Sequence, residues 1–240
     1  MNRLLSIGRR IRALAESRKP CHPEVVSAID DIIQCVRQLA GCNSLSSAVF
    51  RKQVVLRLRD ILARLCRMAE GRLIFESTET WRTVYEDVLE YCETRRYLSV
   101  ALIRSDDYWR DAPGKNSLEF NFTLLAHGFH VHRVFLIDDF FWPRTARTPS
   151  TQLFHWIHDQ HQRGVEVSLV RLSELEDEPS LVCDMGIYGA DAVGWQQTDL
   201  QGRTLRYEVS FNRDAVIEAE QRWNQLLLFA KSFDEVVPAN

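Results

Sequence analysis

Oxygen-bearing residues recur where the β-rich runs of this chain end: Glu76 after the first, Ser105 and Asp106 after the second, Asp138 and Asp139 after the third. Carboxylate and hydroxyl oxygens gathered in this way can hold Mg²⁺ or bind the hydroxyls of a polar ligand. In a sheet of parallel strands such ends open along one edge, and ligands bind outside it. Trp109 stands close to those acids in DDYWRDAPG (106–114), a long, turn-rich connection of the sort that carries function. Glu76, Ser105, Asp106, Trp109, Asp138 and Asp139 therefore form the candidate ligand-binding set. Two other uses compete. Aspartates at strand ends also cap the following helix, and acids holding Mg²⁺ would suit a phosphoesterase or nuclease performing in-line phosphoryl transfer.

Histidines offer a second pattern. His130 and His132 share one face of a strand, because side chains alternate. His155, His158 and His161 follow one another at single helical turns. Two such pairs make a zinc site only if their elements adjoin, and structural zinc sites usually include cysteine. The expected reading is hydrogen-bonded or solvated histidines with no metal and no cofactor. The six cysteines show no close pairing of the zinc-ribbon type, which points to reduced thiols in the cytoplasm. No G-x-S-x-G, Walker loop, G-x-G-x-x-G or H-E-x-x-H occurs, so the common routes to hydrolase, nucleotide-binding and metalloprotease chemistry lose their signatures. No apolar run approaches the length of a bilayer span.

The elements that must position these residues fall into two regimes. Over residues 1–71 apolar residues repeat every three or four positions. Leu4, Ile7, Ile11 and Leu14 mark one helix; Val25, Ile29, Ile32, Val36 and Leu39 a second; Phe50, Val54, Leu58, Ile61 and Leu65 a third, capped by Ser46 or Ser47. The first is read as an amphipathic helix of the fold and not as a secretory signal. From Arg72 the period changes. RLIFES, YLSVALI, HVHRVFLI and VEVSLVR alternate with helical stretches, the signature of βαβ units. After residue 180 three short strands follow without helices between them, and a closing helix begins at Asn212 or Asp214. Gly128 and Gly164 occupy equivalent places, each ending a helix ahead of a strand.

Charge divides along the same line. Residues 1–72 carry 14 Lys/Arg against 6 Asp/Glu, and the remainder carries 16 against 27. A basic helical region over 1–71 and an acidic α/β domain over 72–240 are expected. The basic helices can contact nucleic-acid phosphates or dock on an acidic surface, and no recognition-helix pattern accompanies them.

The order of the second region carries a resemblance. A helix ending in glycine, the strand GFHVHRVFLIDD, the glycine-strand repeat RGVEVSLVR, antiparallel strands and the Trp-bearing helix EAEQRWNQLL resemble the phospholipase D-like superfamily over about residues 72–233. The active family carries His-x-Lys-x4-Asp, with a phosphorus-attacking histidine and a phosphate-neutralising lysine. The corresponding stretch, LVCDMGIYGAD (181–191), has neither. The resemblance therefore implies a catalytically degenerate member with a mainly parallel sheet flanked by helices and antiparallel strands near the C-terminus. Such members are similar to the ligand-sensing or dimerising parts of bacterial regulatory proteins. The expected function is a non-catalytic regulatory or sensory domain that binds a partner or a small polar ligand at the strand ends, with a homodimer or regulatory protein as partner and no membrane. The alternatives are the Mg²⁺ phosphoesterase or nuclease, and a nucleic-acid-binding regulator acting through the basic helices.

Overall fold

A computed structural model describes residues 22–78, 80–105, 112–199 and 203–237. The expected helix over Leu4–Leu14 lies outside them. The chain divides into two compact units, residues 1–63 and 64–240.

In the first unit, helix α1 (Pro23–Ala40) opens on a proline at its first position, where the missing N–H costs nothing. Helix α2 (Ala48–Ala69), whose last residues from Arg64 belong to the second unit, begins after Ser47, whose Oγ accepts a hydrogen bond from the Phe50 N–H at 3.4 Å. Neither helix buries a single residue completely. Val49 and Met68 on α2 are among the most exposed large apolar side chains of the chain.

The second unit is one eight-stranded sheet. Gly71, at φ +73°, takes the left-handed conformation that turns the chain into strand β1 (Arg72–Glu76). Helix α3 (Trp81–Tyr91), β2 (Arg96–Ile103), α4 (Ala112–Ala126), β3 (His130–Ile137), α5 (Thr151–Gln162) and β4 (Glu166–Arg171) then alternate. Strands β5 (Asp184–Tyr188), β6 (Ala192–Thr198) and β7 (Thr204–Ser210) follow as an antiparallel meander. Helix α6 (Arg213–Leu227), the short strand β8 (Lys231–Ser232) and helix α7 (Phe233–Val236) complete the fold.

Both glycines singled out in the sequence close their helices with the expected geometry. Gly128 (φ +80°) donates to Leu125 O while Phe129 donates to Leu124 O; Gly164 (φ +98°) donates to His161 O while Val165 donates to Gln160 O. These paired bonds are Schellman motifs, which a left-handed residue makes possible.

The strand order is β1-β7-β6-β5-β2-β3-β4-β8. Parallel pairing is confined to β2–β3 and β3–β4, and the other five pairings are antiparallel. Helical crossovers place β2, β3 and β4 side by side, but the meander pairs its first strand with β2. That insertion sends β1 to the far edge of the sheet, where it pairs with β7. Strand β1 still points the same way as β2.

Alternation along the strands sends two sets of side chains to opposite faces. Tyr97, Ala101, Ile103, Val131, Phe135 and Ile137 pack beneath α3, α4 and α5. Leu98, Val100, Val134, Leu136, Met185 and Ile187 pack beneath α6, which supplies Val216, Ala219, Trp223 and Leu226. The edge strand is fastened by charge. Glu208 Oε1 accepts from Arg72 Nε and Oε2 from Arg206 Nη2, each at 2.7 Å. Burial alone would raise the Glu208 pKa, but the hydrogen bonds from Arg206 and Arg72 outweigh it and hold the carboxyl below its ordinary range.

Candidate functional site

The strand-end residues proposed from sequence occupy separate places. Glu76 is exposed at the end of β1, four strand positions from β2, which is roughly 19 Å at the usual interstrand spacing. Ser105 follows β2 and is half-buried. Asp106 and Trp109 lie outside the described residues. Asp138 directs Oδ1 at the Phe140 N–H (2.9 Å), while its own carbonyl accepts from Phe141 and Trp142. This is a turn-forming use of aspartate. Asp139 accepts from Ser173 Oγ at 2.8 Å and stands 3.9 Å from Arg144 Nε. Asp138 and Asp139 thus adjoin in a loop that their own hydrogen bonds shape, and Glu76 is not brought to them.

The histidines divide across the sheet. His130 and His132 turn toward Glu166 and Ser168 of β4, with His132 against Trp223 on the α6 side. His158 and His161 stack on Phe233 on the opposite side. Among the described residues no cluster of three His, Cys, Asp or Glu is placed to hold a metal.

A sizeable concavity lies elsewhere. A cavity of about 840 Å³ lies over the middle of the sheet, beneath the N-terminal part of α3 and the face of α4. That volume falls in the range of small-molecule sites. Its lining reaches Ser77 and Thr78 after β1, Asp184 at the start of β5, Asp199 after β6 and Thr204 at the start of β7. It therefore extends to the sheet edge expected from the parallel strands, but not to the acids of the β3 end. None of Glu76, Ser105, Asp138 and Asp139 lines it.

The floor is built by strand register. Ser99 on β2 is paired with Gly186 on β5, and Gly186 with Gly194 on β6. The two glycines leave a trough, and two tyrosines from neighbouring positions fold into it. A Cβ at Gly186 would fall within 3.0 Å of the Tyr188 ring and hydroxyl, and one at Gly194 within 3.0 Å of both the Tyr207 and Tyr188 hydroxyls. Those hydroxyls pair with each other at 2.6 Å. Trp81 stacks on Tyr207 with ring centroids 4.3 Å apart, and Tyr97 stacks on Tyr188 at 5.5 Å. The indole Nε1 of Trp81 donates to Thr204 Oγ1 at 3.3 Å, and Gln196 Nε2 donates to the same oxygen at 2.8 Å. Polar groups converge on this aromatic wall from the other side. Arg133 projects from β3, Asn121 and Ser117 from α4, and Arg82 from α3, the last donating to Ser117 Oγ at 2.7 Å.

Burial pushes the hydroxyl pKa of Tyr85, Tyr188 and Tyr207 well above the ordinary value, because it disfavours the phenolate. At neutral pH the three are uncharged and able to donate or accept hydrogen bonds, but not to act as bases. The linkage has a definite sign. With folded-state pKa values raised, the unfolded chain loses its tyrosyl protons first, so their contribution is intact below pH about 10 and is lost as pH rises beyond it. Three such groups give a slope of about −4 kcal/mol per pH unit in the alkaline range. Absorbance at 295 nm should show three of the six tyrosines titrating only as far-ultraviolet dichroism reports unfolding. Smooth ionisation of all six in the folded protein would contradict their burial.

Among the described residues the cavity lining includes no histidine, lysine or cysteine. The stretch 181–191, which the sequence resemblance set against the catalytic motif, runs through β5 and presents Asp184, Gly186 and Tyr188 to the cavity. The order of strands, glycine turns, meander and Trp-bearing helix is the one that resemblance implied. Nuc from Salmonella typhimurium, a phospholipase D family member, superposes with a TM-score of 0.48 at 9% identity, covering 68% of this chain and 97% of that one. NucT from Helicobacter pylori does so at 0.47 and 8%, covering 68% and 98%. The archaeal chromatin protein TrmBL2, described as showing a novel mode of DNA binding, covers more of this chain, 89% against 72% of its own, at 14% identity and a TM-score of 0.43. No family model and no curated protein matches the sequence.

The cavity residues were legible only in part. A charged residue inside the otherwise apolar run VHRVFLI was a signal for Arg133, and the alternation Asp184-x-Gly186-x-Tyr188 was one for β5. Nothing local indicated that these strands adjoin.

Proposed function

We propose that the second unit is a non-catalytic ligand-binding domain of regulatory type, and that its cavity over the sheet receives a small polar ligand. The observation that carries the reading is the composition of that cavity. Aromatic rings line one wall and hydrogen-bonding groups the other, with no nucleophile of the histidine, lysine or cysteine class among the described lining residues. Phosphodiester cleavage by covalent catalysis needs an activated nucleophile and a proton acceptor within reach of each other. Neutral tyrosines, arginines, asparagine and glutamine recognise a ligand without transforming it.

A binding-only site predicts ligand-dependent stabilisation without turnover. In differential scanning fluorimetry of the full chain against small polar metabolites, a binder present at about one hundred times its Kd adds about 2.7 kcal/mol of stability. Gln196→Trp, which projects an indole from the cavity face of β6, should abolish that rise while the ligand-free melting temperature stays near wild type. Sustained hydrolysis of bis(4-nitrophenyl) phosphate by the purified protein would remove the reading. So would a ligand shift that Gln196→Trp leaves untouched.

A further inference from the structure

The cavity contains a positive charge that no carboxylate of the described chain neutralises. Arg133 sits in the middle of β3 with 6% of its surface exposed. Its Nε donates to Ser99 Oγ at 3.2 Å and its Nη1 to Gln160 Oε1. Both partners are neutral, and among the described residues no Asp or Glu lies within ion-pair distance of the guanidinium. A guanidinium withdrawn from water without a counter-charge is costly, and neutral acceptors offset only part of that cost. Proteins pay for such a group when something else supplies the charge.

A second buried group is also left incomplete. Asn121, 3% exposed on α4, has an enclosed side-chain oxygen with no hydrogen-bond partner among the described residues. Buried polar atoms are almost always satisfied. Arg133 and Asn121 line the same cavity, one lacking an anion and the other a hydrogen-bond donor.

Resting on the binding reading above, we infer that the ligand is a small organic anion, a carboxylate or phosphate monoester, that carries at least one hydroxyl or amino donor. Its acidic group accepts from Nη2 of Arg133, the guanidinium nitrogen that Ser99 and Gln160 do not engage, its donor completes Asn121, and its carbon skeleton lies against Tyr97 and Tyr188. The remaining charges limit how acidic it is. The lining carries Arg82, Arg133 and Arg203 against Asp184 and Asp199, the last held by Arg203 at 2.7 Å, which leaves a net of one positive charge. This selects a ligand with a single acidic group.

Isothermal titration of the full chain with glucose, gluconate and glucose 6-phosphate at matched ionic strength tests the inference, because the three share a polyhydroxyl frame and differ in the acidic group. At least one of the two anions should bind tenfold or more tightly than glucose, and the better one distinguishes carboxylate from phosphate. Arg133→Met should erase that advantage, Arg133→Lys should retain part of it, and Arg133→Met without ligand should melt at or above the wild-type temperature. If neither anion exceeds glucose, or if Arg133→Met keeps the preference, the inference fails, and glucose binding that Gln196→Trp blocks would leave the cavity reading intact. Anion binding that Gln196→Trp does not disturb would instead place the site outside the cavity and overturn both. An Arg133→Met protein that melts far below wild type would assign the arginine a structural role and overturn the inference.

Discussion

Gly194→Val is expected to destabilise the protein by about 3 kcal/mol, near the upper end of what overpacking a core costs. Gly194 has ordinary backbone geometry, so the effect owes nothing to conformational freedom. It comes from occupancy. The space above its Cα is filled by the hydroxyl of Tyr207, with that of Tyr188 beside it, and both tyrosines are about 2% exposed. A branched side chain there must expel at least one ring. Expelling Tyr207 would break the hydroxyl pair at 2.6 Å and the stack on Trp81. Urea denaturation measures the loss, and the smaller Gly194→Ala should show the same direction with less amplitude. Stability equal to wild type for both variants would mean that Tyr207 has another place to go and that the trough is not the floor of the site. Because the cavity loses its shape together with the tyrosines, ligand-induced stabilisation should disappear in Gly194→Val even where the protein still folds.

Trp81→Ala should cost about 4 kcal/mol, the range seen when a buried large aromatic is truncated. Trp81 is 7% exposed at the first turn of α3. It stacks on Tyr207, meets Tyr85 at 5.7 Å, carries the Arg82 guanidinium 4.7 Å above its ring, and donates to Thr204. Its removal unroofs one end of the cavity and frees the start of α3 from β7. Trp81→Phe keeps the stack and loses only the indole hydrogen bond and some volume, so about 1–2 kcal/mol is expected. The difference between the two variants, read as a shift in denaturation midpoint at constant m-value, isolates the stacking contribution. Equal losses would show that the hydrogen bond to Thr204, and not the ring packing, holds the helix.

Both results bear on the same design. The cavity is stabilised by the residues that shape it, and the fully buried Phe135, Leu136 and Ile137 on β3 provide a rigid sheet beneath. Arg133 stands on that sheet, so its guanidinium is held by strand register and not by a flexible loop.

Much of this molecule was readable from residue order alone, because the relevant physics is local. Apolar period 3.6 over Val25–Leu39 and Phe50–Leu65, and period 2 with β-branched residues in RLIFES, YLSVALI and HVHRVFLI, place helices and strands to within a few residues. Gly128 and Gly164 mark helix ends since only glycine takes that left-handed turn cheaply. The absence of His-x-Lys in 181–191 is likewise a plain fact of sequence.

Pairing across the sheet was a different matter. Nothing local says that the meander enters beside β2, that β1 is driven to the far edge, or that Gly186 and Gly194 face each other across a strand pair. Those follow from which apolar faces can be buried together, a property of the whole chain. For that reason the acids at the ends of β1 and β3, neighbours in a simple parallel order, stand far apart. The groups that do converge, Arg133 and Asn121 with four tyrosines, come from strands and helices up to 122 residues apart in sequence. Local propensity chose the elements; only tertiary packing decided which of their faces would meet around an empty space.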